Sequence, residues 1–143
     1  MSCYAVIDTN VLVSALLSKH SDSSTVILVE KMLAGELIPV YSADILNEYR
    51  EVLHRKKFKF APTQIDYLLS AISYFGLMVE PSPVDEILPN PKDLPFYEVV
   101  MEKRQTDESY LVTGNQKHFP FKPFIVTPKE MLEILSEYSR SGS

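Results

Sequence analysis

Five short apolar runs alternate with longer stretches of helical periodicity along this chain: "YAVID" (4–8), "LIPVYS" (37–42), "LMVE" (77–80), "SYLVTG" (109–114) and "FIVT" (124–127). Strands separated by helices are joined by crossovers, and crossovers pair strands in parallel. The pattern therefore restricts the chain to an α/β architecture. Three layers are expected, with helices on both faces of a central, mainly parallel twisted sheet of four to five strands.

The helices have readable ends. Ser42 precedes "ADILNEYREVLHR" as an N-cap, and within it Ile45, Leu46, Tyr49, Val52 and Leu53 share one face. Thr63 is the expected cap of "TQIDYLLSAISYFG", with Gly76 as its stop, and Gly35 stops the helix "SSTVILVEKMLAGE". Thr127, Pro128 and Glu130 spell a capping box with proline in the first turn. Pro39 inside "LIPVYS" argues for an edge strand or an early end. "PSPVDEILPNPKDLP" holds five of the ten prolines, which makes it a conformationally restricted loop and not a flexible linker. No repeat or linker divides the chain. Residues 1–138 are expected to form one domain, and "SRSGS" (139–143) a flexible C-terminal tail.

Composition removes several classes. A chain of 143 residues with 45% apolar content can bury a core. It has no apolar run long enough to span a membrane and no signal-peptide pattern. A single cysteine, Cys3, forms no internal disulfide, in keeping with a reducing cytoplasmic setting. With a net charge of −5, any phosphate-bearing partner needs a local basic patch or bound cations. None of the four glycines builds a dinucleotide or P-loop motif. His20, His54 and His118 are scattered and do not spell a zinc site, Cys3 lacks a histidine partner, and no serine sits in a nucleophile elbow.

What remains is a set of acids at informative places. In parallel α/β sheets, ligands bind beyond the carboxyl ends of the strands, and Asp8 ends the first strand. Glu48 borders the apolar stripe of its helix and so points along the surface toward a neighbouring element. Asp93 stands at a helix entry, where capping would also explain it, and Asn115 follows Gly114 after "SYLVT", where a turn would explain it. Converging carboxylates repel unless a cation lies among them, and hard divalent ions take oxygen ligands.

Taken in order, "VIDTNVLVSALL", "ILNEYREVL", "PKDLPF" and "YLVTGNQKHF" resemble a PIN-domain nuclease, in the branch of VapC-like toxin components, from about Tyr4 to Thr127. The resemblance implies a PIN-like fold and a metal-dependent endoribonuclease, the toxin of a toxin–antitoxin pair. It makes Asp8, Glu48 and Asp93 ligands of Mg²⁺ or Mn²⁺ and members, with Asn115, of the catalytic set. The sequence departs from the pattern at the fourth acid: Asn115 and His118 stand where many PIN domains carry an aspartate. An amide oxygen at Asn115 can still reach a metal or a metal-bound water. The implied partners are an RNA substrate, a cognate antitoxin protein and a second copy in a homodimer, with no membrane.

Arg55, Lys56, Lys57 and Lys59, interleaved with Phe58 and Phe60, offer a backbone grip with an aromatic for base stacking, or simply a solvated helix end. Asn10 and Thr113, beside the acids, join them as substrate-binding candidates. A phosphoacceptor domain would pair acids at the first strand, and a DxD phosphatase would need an acid where Asn10 stands. The stronger alternative is a catalytically degenerate PIN fold that binds RNA or a partner without cutting.

Overall fold

The computed structural model describes residues 3–141. Its elements are β1 (Tyr4–Ile7), α1 (Thr9–Leu17), α2 (Ser24–Leu33), β2 (Ile38–Tyr41), α3 (Ala43–Leu53), α4 (Pro62–Phe75), β3 (Leu77–Met78), α5 (Leu94–Lys103), β4 (Ser109–Val112), β5 (Ile125–Val126) and α6 (Pro128–Ser141). Two single 3₁₀ turns, Pro91–Asp93 and Gln116–His118, follow β3 and β4 respectively. The sheet order is β3-β2-β1-β4-β5 and every pairing is parallel. Helices flank it on both sides, which makes the expected three-layer α/β/α sandwich.

The central strand is the most apolar. Ala5, Val6 and Ile7 are buried, as are Leu111 and Val112 of the adjacent β4. Helix α5 lays Phe96, Val99 and Val100 inward and packs on β1, β2 and β4. Helix α3 buries Ile45, Tyr49, Val52 and Leu53, as its periodicity dictates, with Leu46 at the margin. The Ser42 hydroxyl accepts the Ile45 N–H at 3.3 Å. Thr127 and Glu130 exchange both bonds of the capping box, at 2.8 and 3.1 Å. Gly35 closes α2 in a Schellman motif: its φ is +80°, its N–H reaches Met32 C=O, and the Glu36 N–H reaches Lys31 C=O.

Two local expectations, at Pro39 and Thr63, are corrected. Pro39 does not mark an edge, because β2 lies between β1 and β3. The Ile38 N–H bonds Cys3 C=O on the β1 side, so the missing donor of Pro39 faces the other way. There β3 has not yet begun, since its pairing starts at Val40 with Leu77. Thr63 does not cap α4; Ala61 is the N-cap and Pro62 the first helical residue. Gly76 does end α4, but with an extended backbone (φ −90°) and not a left-handed one. Glycine is required there because a Cβ would collide with the carbonyl oxygens of Ile72 and Pro39. Finally, α6 runs on to Ser141, into the stretch expected as tail, and 142–143 lie outside the described residues. Among the described residues, no helix is long and apolar enough to cross a membrane.

Candidate active site at the carboxyl edge of the sheet

The sheet order reverses at β1: the chain moves outward to β2 and β3 on one side and later fills β4 and β5 on the other. Loops leaving β1 and β4 therefore diverge, and a crevice opens between them. Asp8 leaves β1 there and Thr113 leaves β4.

Asp8 is the N-cap of α1 by backbone position, yet its side chain makes no capping hydrogen bond. Its own N–H prolongs the sheet by bonding Val112 C=O at 2.9 Å. The carboxylate is buried and turned to β4, where the Thr113 hydroxyl donates to Oδ2 at 2.7 Å. Thr113 is fully buried and its Oγ1 also accepts the Asn115 N–H at 3.0 Å. Desolvation raises the Asp8 pKa; the Thr113 hydroxyl, the Asn10 and Thr9 amides and the nearby His118 pull it back only in part.

Glu48 comes from α3, half-buried, and the Thr9 hydroxyl of α1 donates to its Oε2. The next residue, Tyr49, is buried and its hydroxyl donates to Ile7 C=O at 2.5 Å. That bond fixes α3 against the end of β1, and with it the height of Glu48. Burial raises the Glu48 pKa, Thr9 lowers it, and the charges of Asp8, Asp93 and Glu51 raise it further.

Asp93 closes the 3₁₀ turn that feeds α5. Asn90 starts that turn by accepting the Lys92 N–H at 3.0 Å. Here too the side chain does not cap the helix. Desolvation and the charge of Asp8 raise its pKa, and His118 opposes them. Asp93 Oδ2 is buried and has no hydrogen-bond partner. His118 Nδ1 lies 3.3 Å from it, at ion-pair distance but without hydrogen-bond alignment.

Asp8, Glu48 and Asp93 thus occupy one electrostatic neighbourhood, supplied by β1, α3 and the approach to α5. Asn10 and Asn115 stand exposed at its rim; the Asn115 N–H serves Thr113, while no hydrogen bond joins the Asn115 side chain to another described residue. As they stand, the acids do not close on a single point: among the described residues, no group of three or more His, Cys, Asp and Glu side chains could hold an ion together.

The basic stretch lies apart from this crevice. Helix α3 starts at the carboxyl edge and runs back, so its end at Leu53, just before Arg55, is about 7–8 Å further along the axis than Glu48. Arg55, Lys56, Lys57 and Lys59 are exposed, with Arg55 in an ion pair with Glu51 at 3.8 Å. Phe58 and Phe60 are half-buried. They stack on each other (5.4 Å, 11°), pack against the core, and Phe58 carries Lys57 Nζ at 5.1 Å. Lys59 adopts φ +57°, and this turn brings the two rings onto the same side. Thr9, which touches Glu48, is not singled out from the sequence, and His118 is noted only as standing where the fourth acid is missing. His118 had a visible signal, its position three residues after Asn115; Thr9 had none beyond its adjacency to Asp8.

An α/β/α domain with acids gathered at the switch point of a parallel sheet defines a class of protein, and comparison with known families places this chain in it. The family described as PIN domain matches residues 4–117, and the chain belongs to that family. The PIN domain is a nuclease-type fold, and PIN-domain nucleases generally use divalent metal ions. No curated protein and no solved structure matched the chain.

Proposed function

We propose that this chain is a metal-dependent endoribonuclease that hydrolyses RNA phosphodiester bonds. The observation that carries this reading is the shared neighbourhood of Asp8, Glu48 and Asp93, each raised in pKa by burial and the last two also by acidic neighbours, beside the orphaned Asp93 Oδ2. A buried acceptor without a donor, among carboxylates that repel one another, fits a cation. Asp8, Glu48 and Asp93 would hold Mg²⁺ or Mn²⁺. When bound, such an ion acidifies a water and offsets charge on the phosphodiester.

The chain's own residues do the positioning. Thr113 locks Oδ2 of Asp8. Thr9 holds Glu48 against α1, and Tyr49 sets the distance between α3 and β1. Asn115 at the rim meets the substrate or a bound water. Exposed Lys92 and Lys117 sit on the two 3₁₀ turns that carry Asp93 and His118, and offer phosphate contacts nearer the acids than the 55–59 stretch does. The likeness to VapC-type toxins extends the proposal to a cytoplasmic toxin, restrained by a cognate antitoxin that covers the acidic crevice and acting as a homodimer. A small antitoxin gene beside this one is the expected genomic context.

A second reading, a degenerate PIN fold that binds RNA or a partner, is favoured by one observation: the acids do not close into a three-ligand group. Single-stranded RNA cleavage against Mg²⁺ and Mn²⁺ concentration separates the two. The nuclease reading expects metal-dependent cleavage, abolished by chelator and by Glu48→Gln. RNA binding without cleavage at any metal concentration sinks it.

A further inference from the structure

We infer that His118 is a nitrogen donor at the acidic site, taking the place of the missing fourth acid and tilting the site from Mg²⁺ toward first-row transition ions such as Mn²⁺. The inference rests on the reading of Asp8, Glu48 and Asp93 as metal ligands. It starts from one separation: His118 Nδ1 stands 3.3 Å from Asp93 Oδ2. That oxygen is buried and accepts no hydrogen bond, from His118 or from anything else described. A histidine and a carboxylate in simple partnership would align donor and lone pair. These two face each other without doing so.

Neighbouring donors on one ion have a fixed separation. With metal–ligand bonds of about 2.1 Å, it is about 3.0 Å in an octahedron and about 3.4 Å in a tetrahedron. The observed spacing falls between these values, so both atoms can serve one ion after small side-chain rotations. His118 is nearly half exposed, on the short 3₁₀ turn Gln116–His118, and is free to make such a rotation. Its charge also lowers the pKa of Asp8, so it is felt by two of the three acids. No hydrogen bond joins the Asn115 side chain to any of the three carboxylates. An imidazole nitrogen suits borderline ions, whereas Mg²⁺ takes oxygen and keeps its waters.

The test uses the whole chain, without RNA, and MnCl₂ or MgCl₂ alone as probe. Calorimetric titration measures both ions on the parent, His118→Gln and Glu48→Gln, with melting temperature as the check that each is folded. Pulsed electron paramagnetic resonance of the Mn²⁺-loaded parent should show directly coordinated nitrogen. His118→Gln should abolish that coupling and weaken Mn²⁺ by at least about tenfold, the low end of what removing a metal-orienting side chain costs. Mg²⁺ affinity should change little, so the Mn²⁺/Mg²⁺ preference collapses. His118→Asp should shift the preference toward Mg²⁺ instead. If Glu48→Gln loses the metal while His118→Gln leaves affinity and spectrum unaltered, the acidic site stands and the role of His118 is overturned. If the parent binds neither ion, both fall together.

Discussion

The hydroxyl of Thr113 donates to the carboxylate of Asp8 at 2.7 Å, joining two residues 105 positions apart across the β1–β4 seam. The bond is buried at both ends, and its acceptor is the first acid of the proposed metal site. Thr113→Val removes the donor, strands the carboxylate and orphans the Asn115 N–H. A cost of about 1.5–3 kcal/mol is expected, as for a hydrogen bond to a charged group. Thr113→Ser, which keeps the hydroxyl, should recover most of it. Urea unfolding of the three proteins measures the difference, and equal stability of the valine variant would show that the bond contributes nothing net.

The acids should weaken the metal-free fold. Burial raises the folded pKa of Asp8 above its unfolded value. For an acid shifted this way, the unfolded chain loses its proton first as pH rises. The stability penalty therefore grows as pH rises through and above the ordinary carboxylate range, and is relieved on acidification. Asp8→Asn keeps an oxygen for Thr113 and removes the charge. It should raise the metal-free melting temperature at neutral pH by roughly 2–4 °C, the shift that about 1 kcal/mol makes in a domain of this size. Millimolar Mn²⁺ should reverse the ranking, because only the parent gains from binding. A parent that outmelts the variant in chelator contradicts the prediction.

Glu48 should titrate according to Thr9. The Thr9 hydroxyl lowers a pKa that burial and the neighbouring acids raise. Thr9→Val removes the lowering influence, so the Glu48 pKa moves further up. Carboxyl-carbon NMR of the metal-free chain reads this directly. If cleavage needs ionised Glu48, the acidic limb of the pH–rate profile moves to higher pH by the same amount. An unmoved Glu48 resonance would show that the hydroxyl bond is incidental.

Tyr49→Phe should separate architecture from chemistry. It leaves the ring in the core and deprives Ile7 C=O of its donor. A loss of about 1–3 kcal/mol is expected. Activity should fall further than stability implies, because Glu48 is the preceding residue on the same helix. A variant with lowered stability and intact turnover would show that α3 needs no such pin.

On the basic stretch, the phenylalanines point to the core and the cations to solvent. Lys56→Ala with Lys57→Ala should therefore leave the fold intact. If these lysines contact phosphate, each loss flattens the salt dependence of single-strand binding by about 0.7 in log–log slope. Lys92→Ala with Lys117→Ala should have the larger effect on cleavage, since those cations flank the acids. Filter binding across salt concentrations measures the slope for each pair, and single-stranded RNA cleavage compares their effects on activity.

Much of this arrangement is legible in the chain because local rules and global fold agree. The run Ala5–Ile7 ending at Asp8, the cap at Ser42 and the box at Thr127–Glu130 each follow from local chemistry, and all point to one sheet edge. Legibility stops where a residue's meaning depends on distant partners. Pro39 reads as an edge marker until the late start of β3 is known. Phe58 and Phe60 read as free aromatics because a left-handed Lys59 cannot be foreseen from its neighbours. Thr9 and His118 carry no periodicity at all, and their roles appear only when α1, α3 and the loop after β4 are brought together.

The seam between β1 and β4 has a consequence for the timing of synthesis. Asp8 and Glu48 leave the ribosome early, whereas the strand that locks Asp8 and the turn that carries His118 come 60 to 70 residues after Glu48. At ordinary elongation rates that interval is roughly 3–14 s. Throughout it, β1 lacks a neighbour on one side and the carboxylate of Asp8 lacks its hydroxyl. A nascent chain caught in that interval has no assembled crevice with which to cut the message being translated. If the chain is the RNA-cutting toxin proposed above, the discontinuity of its site along the chain would delay that activity until synthesis is nearly complete.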